Sequence, residues 1–228
     1  MIRRVKKMKL SDATLDVLKN FSTVNQNILV KEGSKLRTMS TMKNILGEAN
    51  IGEEFPKEFG IYDLNEFLGV FSLAKDAELV FENDSFLVVK SGKTKIKYFF
   101  SDPSILTTPP ESFNAPETDI HFPVCGDTLG SILKSAAVMQ LPDVVFHATG
   151  TNTYMTVTDL KNTTSNEFTK ELEGAENQSE FKFHYKVDNL KMIPGDYDVS
   201  VSTTALVSNW KNSHKDISYW IALEQPSD

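Results

Sequence analysis

The 228-residue sequence has a single cysteine, Cys125, so no disulfide can form within the chain, and a reducing compartment is expected. No apolar run approaches the ~18 residues of a membrane span. The basic opening MIRRVKKMKL is followed by no apolar segment of the kind that marks a secretory signal. A soluble intracellular protein without a membrane partner is therefore expected. Positive charge is also short: Lys and Arg number 24 against 31 Asp and Glu, a net charge of −7. Such a balance argues against a protein that coats DNA with its whole surface, because phosphate contacts need concentrated Lys and Arg. A local basic surface stays open, so the distribution of charge matters more than its sum.

Motifs for catalysis are missing as well. The four histidines, His121, His147, His184 and His214, stand at no metal-ligand spacing and have no cysteine pattern beside them. The stretch SGKT at 91–94 resembles the end of a phosphate-binding loop, but Leu87 occupies the position where that motif needs its first glycine. It runs into the strand-like KIKYFF, which favours a hairpin turn with a solvated Lys93, Lys95 and Lys97 face. No G-x-S-x-G elbow is present. Cys125 lies just ahead of a helix, where a thiolate can be stabilised, yet a lone cysteine is more often packed than nucleophilic. No enzyme, metal or cofactor is expected.

What is present has a repeated plan. The segment SDATLDVLKNFSTVNQNI has helical spacing with Val17, Phe21, Val24 and Ile28 in line, Leu15 and Leu18 beside them, and Ser11 as N-cap. EFGIYD leads into a second helix, where Leu64, Phe67, Leu68 and Phe71 fall at i, i+3, i+4 and i+7. Its other side holds Asn65, Glu66, Gly69 and Ser72. A meander, AELVFENDSFLVVKSGKTKIKYFF, follows. Residues 101–119 then hold four of the nine prolines, which predicts an extended connector between domains. Beyond it the order recurs: strand IHFPV, helix GDTLGSILKSAAVMQ with Leu129, Ile132, Leu133 and Ala136 on one face, and strands in DVVFHATGTNTYMTVTDL. A polar stretch at 161–180 suggests a long hairpin or a mobile loop. EFKFHYKVDNLKMIPGDYDVSVS then repeats strand, short helix and return strand, and ISYWIALE ends the chain. Two similar α+β domains are expected, at 1–107 and 120–228, joined by the connector 101–119.

Basic residues recur at matching places in the two halves. Lys19 lies opposite the apolar stripe of the first helix, on a face shared with Asp12 and Asp16, and Lys134 lies on the matching helix of the second half. Lys191 belongs to the second half's short helix, Lys9 to the N-terminal strand. Arg3, Arg4, Lys6 and Lys7 form a basic arm upstream.

The stretches MKLS…LKNF (8–21), IYDLNEFLGVFSL (61–73), DPS (102–104), KMIPGDY (191–197) and YWIALE (219–224) resemble the DNA polymerase sliding clamp of T4-type bacteriophages. The resemblance runs nearly the whole chain from Met8, with MIRRVKK as an extension ahead of the family's usual start. It implies the DNA-clamp fold: a homotrimeric ring of six similar domains, antiparallel sheets outside, and helices around a hole wide enough for duplex DNA. A ring of this kind tethers the polymerase, is opened and closed by an ATP-dependent clamp loader, and serves phage late transcription, in the cytoplasm of the infected bacterial host. The DNA-facing candidates are Lys9, Lys19, Lys134 and Lys191, with Arg3, Arg4, Lys6 and Lys7. A surface that slides should hold DNA by diffuse electrostatics, since base contacts would fix it at one sequence. The resemblance also implies an apolar pocket for partner peptide tails near the connector and the C-terminus, with Ile105, Leu106, Phe113, Trp220, Ala222 and Leu223 as the region. The alternative is a phage structural or assembly oligomer of two β-rich domains that does not touch DNA.

Overall fold

A computed structural model describes residues 6–74, 76–175 and 180–225, and the chain divides into two compact units, Met1–Glu111 and Ser112–Asp228. In unit 1, β1 (Lys6–Met8) is followed by α1 (Asp12–Val24), β2 (Ile28–Val30), β3 (Gly33–Met39), β4 (Ile45–Phe55), β5 (Phe59–Ile61) and α2 (Leu64–Leu73). A meander, β6 (Glu78–Phe81), β7 (Phe86–Ser91) and β8 (Thr94–Phe99), completes it. One antiparallel sheet has the order β1-β6-β7-β8, while β3 pairs with β4 and β2 with β5.

Both helices of unit 1 start where a side chain satisfies their free amides. Ser11 accepts from the Thr14 N–H at 3.2 Å, and Glu53 reaches across from β4 to accept from the Thr14 hydroxyl at 2.5 Å and from the Ser11 N–H. Asp63 accepts from the N–H groups of Asn65 and Glu66 at 2.9 and 3.0 Å. α1 buries Thr14, Leu18 and Phe21, so its inward face is centred away from Val17 and Val24, which are half-buried. The helix stops at Asn25, whose amide donates to the Met39 carbonyl at 2.7 Å, and Ile28 belongs to β2. On α2, Leu64, Phe67 and Val70 are buried, while Leu68 and Phe71 are half-buried at the edges of the stripe. Phe67 meets the edge of Tyr98 at 5.1 Å, and Phe59 gathers Phe55, Phe81 and Phe100 around it.

Unit 2 comprises β9 (Ile120–Val124), α3 (Gly126–Met139), β10 (Asp143–Thr149), β11 (Asn152–Thr158), β12 (Phe168–Glu171), β13 (Phe181–Lys186), β14 (Tyr197–Ser202), β15 (Val207–Asn212) and β16 (Ile217–Ala222). Within it the antiparallel orders are β12-β11-β10-β13 and β16-β15-β14-β9. Its core is built on fully buried Trp210, with Phe146, Tyr185 and Tyr197 against it at 5.6–6.0 Å. Truncating such a residue costs roughly 3–5 kcal/mol. α3 buries Leu129, Ile132 and Ala136, with Leu133 half-buried.

Two expectations need correction. The second half's short helix is a single 3₁₀ turn, Val187–Leu190. Pro194 excludes its predecessor from the α region, and Asp188 and Asn189 are weak helix formers, so the turn cannot propagate. Among the described residues there are thus three α-helices, not two per half. In the connector, Asp102 caps a 3₁₀ turn at Pro103–Ile105, accepting from the Ser104 N–H at 2.9 Å, before the chain becomes extended. The polar stretch 161–180, expected as a long hairpin or a mobile loop, contains the strand β12, which pairs antiparallel with β11 as the second arm of a hairpin.

Candidate nucleic-acid interface

The exposed faces of the three helices carry little charge. Their ionisable residues are Asp12, Asp16 and Lys19 on α1, Glu66 on α2, and Asp127 and Lys134 on α3. Asp12, Glu66 and Asp127 lie in first turns, where the partial positive charge of the helix N-terminus offsets them. Asp16 holds Lys19 at 3.1 Å, both largely exposed. Lys134 is exposed and has no ion pair among the described residues. The rest of these faces is mostly small or polar, with Leu73 at the end of α2 and Val138 on α3 as exposed apolar exceptions, and three of the hydroxyls turn inward. Ser22, Thr23 and Ser72 donate to the carbonyls of Lys19, Asn20 and Gly69 three residues back. Their single O–H donors are spent within the helix, so these groups present only acceptor lone pairs to a base edge. Gly69 and Gly130 are exposed, and a Cβ at either would meet nothing within 4 Å.

The other expected basic residues divide. Lys191 follows the 3₁₀ turn and pairs with Asp188 at 2.6 Å. Lys9 is exposed just after β1. Lys6 and Lys7 are not a loose arm: they lie in β1, opposite Phe81 and Val80 of β6, and Lys7 pairs with Glu78 at 3.2 Å. Arg3 and Arg4 lie outside the described residues.

The six apolar candidates for a peptide pocket also separate. In unit 1, Ile105 is exposed. Leu106 is buried against Gly60, where an added Cβ would lie 2.8 Å from Leu106 Cδ1 and 2.6 Å from the Ser101 carbonyl. Leu106 therefore serves packing. In unit 2, Phe113 lies against Trp220 with ring centroids 5.1 Å apart. β16 alternates, burying Ile217, Tyr219 and Ile221 and leaving Trp220 and Ala222 half-buried on the other face. Leu223 lines a cavity of about 130 Å³ with Leu206, Phe183 and His184. Burial, then the positive charge of Lys182, lowers the His184 pKa, which keeps the ring neutral.

Sequence reasoning missed the role of Asp196. Its carboxylate accepts from the Gly126 N–H at 2.7 Å at the start of α3 and faces His214 Nε2 at 3.1 Å. The Gly126 bond, then His214, holds its carboxyl below the usual range. Cys125 is exposed as the N-cap residue of α3. Among the described residues no group of His, Cys, Asp or Glu is placed to hold a metal ion. Also unforeseen was a groove of about 620 Å³ on the sheet β12-β11-β10-β13, lined by His147, Thr156, Thr158, Glu167, Phe181 and Lys182 among others. No motif could have signalled it, since its residues come from four strands and their loops.

Residues 8–106 match the family described as DNA polymerase processivity factor, and residues 121–225 match the gp45 sliding clamp C-terminal family. The sliding clamp of Vibrio phage KVP40 is 33% identical over 199 residues, 85% of this chain and 90% of that protein. The sliding clamp of Enterobacteria phage T4 is 27% identical over 225 residues, 96% and 98% of the two chains. Among solved structures, PCNA from Thermococcus kodakaraensis superimposes with a TM-score of 0.71 at 16% identity, covering 96% of this chain and 99% of that one. PCNA of A. fulgidus, solved with the C-terminal region of FEN-1 bound to it, gives 0.69 at 14% identity over 98% and 99%.

Proposed function

The chain belongs to the DNA polymerase processivity factor family of phage sliding clamps, and from that premise we propose a closed ring of three copies that encircles duplex DNA. A clamp of this family does no chemistry: it is a processivity factor, with DNA and the polymerase as its partners. The observation that carries the reading is the match of both halves, in order, to the two halves of the clamp family.

The helix faces suit a sliding surface. Duplex DNA held by Lys9, Lys19, Lys134 and Lys191 would feel a weak field with little sequence information in it. Three of the four carboxylates there, Asp12, Glu66 and Asp127, sit at helix starts, so the charge along the middle of the helices is confined to the Asp16–Lys19 pair and Lys134. Ring closure uses sheet edges. β8 ends the sheet of unit 1 and β12 ends a sheet of unit 2, each with one unpaired side among the described strands. Pairing of β8 with β12 of the next copy satisfies both edges, and repetition closes the ring. An ATP-dependent loader opens it, and late transcription factors share it with the polymerase, in the cytoplasm of the infected host. The tails of these partners bind beside Phe113, Trp220 and Ala222. The precedent is the FEN-1 C-terminal region on the A. fulgidus PCNA.

The test is retention on closed circular duplex DNA after incubation with the cognate loader and ATP. Retention that is lost on linearising the circle supports encirclement. A trimer by light scattering that is never retained would support the structural-oligomer alternative. A monomer at every concentration would overturn the ring.

A further inference from the structure

A second basic surface lies away from the helices, on the outer face of the sheet β1-β6-β7-β8. Residues 86–100 contain four lysines and no carboxylate, in a chain of net charge −7. Leu87, Val89 and Tyr98 of β7 and β8 point into the core. The alternate residues therefore share the other face, where register sets Phe86 opposite Phe99, Val88 opposite Lys97 and Lys90 opposite Lys95. Phe99 is 63% exposed. Lys97 Nζ lies 4.0 Å from the Phe86 ring centroid and 4.7 Å from that of Phe99. Glu78 on β6 faces Lys90 but is engaged by Lys7, and Glu82 and Asp84 lie in the turn before β7.

Two features of this face weaken the free protein. Like charges directly opposed across two strands repel, and an exposed phenylalanine forgoes its burial energy. Both suit a ligand that is anionic and flat. Lys95, Lys97 and Phe99 form one file along β8, spaced about 6.6 Å apart by the strand rise. That is close to the separation of successive phosphates in an extended nucleic-acid strand. Phe86 and Phe99 are neighbours on a two-stranded surface, with centroids 5.6 Å apart and ring planes tilted by 58°, so each offers its own face and the more exposed Phe99 is the better platform. Such a surface accepts bases by stacking, as exposed aromatics on sheets do for single strands. Peptide recognition on a sheet relies instead on the main-chain edge or on pockets for alternate side chains.

We propose that this face binds single-stranded DNA, with Lys90, Lys95 and Lys97 on phosphates and Phe99, seconded by Phe86, stacking on bases. Lys97 has a flexible stem, so its ammonium moves from the rings to a phosphate as a base takes its place. The ligand is at hand for a protein that serves a polymerase, because template ahead of the primer end is single-stranded. The side chains on the face are distinct from the β8 main-chain edge used for ring closure.

The experiment uses fluorescence anisotropy with a short covalently closed oligothymidylate circle, which cannot thread a closed ring without a loader. A closed duplex circle of the same length is the comparison. The wild-type protein is expected to prefer the single-stranded circle and to release it as salt rises. Lys90→Glu combined with Lys95→Glu should lower affinity at least tenfold and flatten the salt dependence. Phe99→Ala should lower it about tenfold with the salt dependence unchanged. Failure to bind the single-stranded circle would overturn the proposal. So would equal binding of both circles that ignores Phe99→Ala, or binding of an acidic phenylalanine-containing peptide in place of DNA. Thermal unfolding and solution mass are followed for each variant. Variants that fold but fall apart to monomers assign the patch to the joint between copies instead. Loader-dependent retention of the same variants on duplex circles separates failure of this site from failure of encirclement.

Discussion

Phe113→Ala tests the partner-tail site directly. Phe113 is 40% exposed and lies against Trp220 at 5.1 Å. A phenylalanine side chain presents about 200 Å², so roughly 80 Å² remains for a docked tail to cover. At about 25 cal/mol per Å² that area is worth about 2 kcal/mol, or a factor of about 30 in Kd. The variant should therefore bind the C-terminal peptide of its polymerase about 30-fold more weakly. The assay is built into the protein, since the chain has two tryptophans. Trp210 is fully buried in the unit 2 core, whereas Trp220 is half-buried on the β16 face beside Phe113. Fluorescence changes on peptide titration will thus report chiefly Trp220. The ring should persist, because Phe113 lies on neither β8 nor β12, and light scattering checks that. Unchanged peptide affinity with an undisturbed Trp220 signal would refute the reasoning and move the tail site elsewhere.

Asp16→Asn releases Lys19 from an exposed i,i+3 pair, so stability should shift by less than about 0.5 kcal/mol. Duplex binding should become more salt-sensitive by about one counterion per copy, and Lys134→Ala should change the salt slope oppositely; equal slopes for all three would remove both lysines from the DNA-facing surface. Gly69→Ala and Gly130→Ala have open space for a Cβ, and each should stabilise by about 0.5–1 kcal/mol in denaturant titrations. A loss of stability would reveal a packing constraint at the glycine. The Asp63 cap predicts an acid effect. The Glu66 N–H, then the Gln26 amide at 2.8 Å, lowers its folded pKa. The stabilisation is complete above the unfolded carboxyl's pKa and is lost as pH falls through the folded value. Asp63→Asn should therefore flatten the acid side of a stability–pH profile, and superimposable profiles would count against the cap.

Much of this molecule is local chemistry. Ser11 and Asp63 mark helix starts because a short side-chain acceptor placed before a run of free amides has few better uses. The meander from 77 to 100 follows from two-residue alternation and from turn residues such as Gly92, which adopts a φ of 55° between β7 and β8. The doubled plan, the absence of a catalytic motif and the family resemblance are all readable without coordinates, since each depends on residue order. Other features are set by distant partners. The phase of α1 follows Thr14, Leu18 and Phe21 because Glu53 on β4 fixes its start and Met39 on β3 fixes its end. Lys19 and Lys191 look like free cations along the chain, but each has a carboxylate three residues away, and rotamer choice decides whether they meet. Phe86 and Phe99 are thirteen positions apart, and only strand register makes them neighbours. Composition and short-range pattern thus determined most of the elements and their order, the second half's short helix, a single 3₁₀ turn, excepted. Which lysines stay available, and which aromatics stay exposed, was decided by the tertiary structure, because charge pairing and burial depend on residues that the chain brings together only on folding.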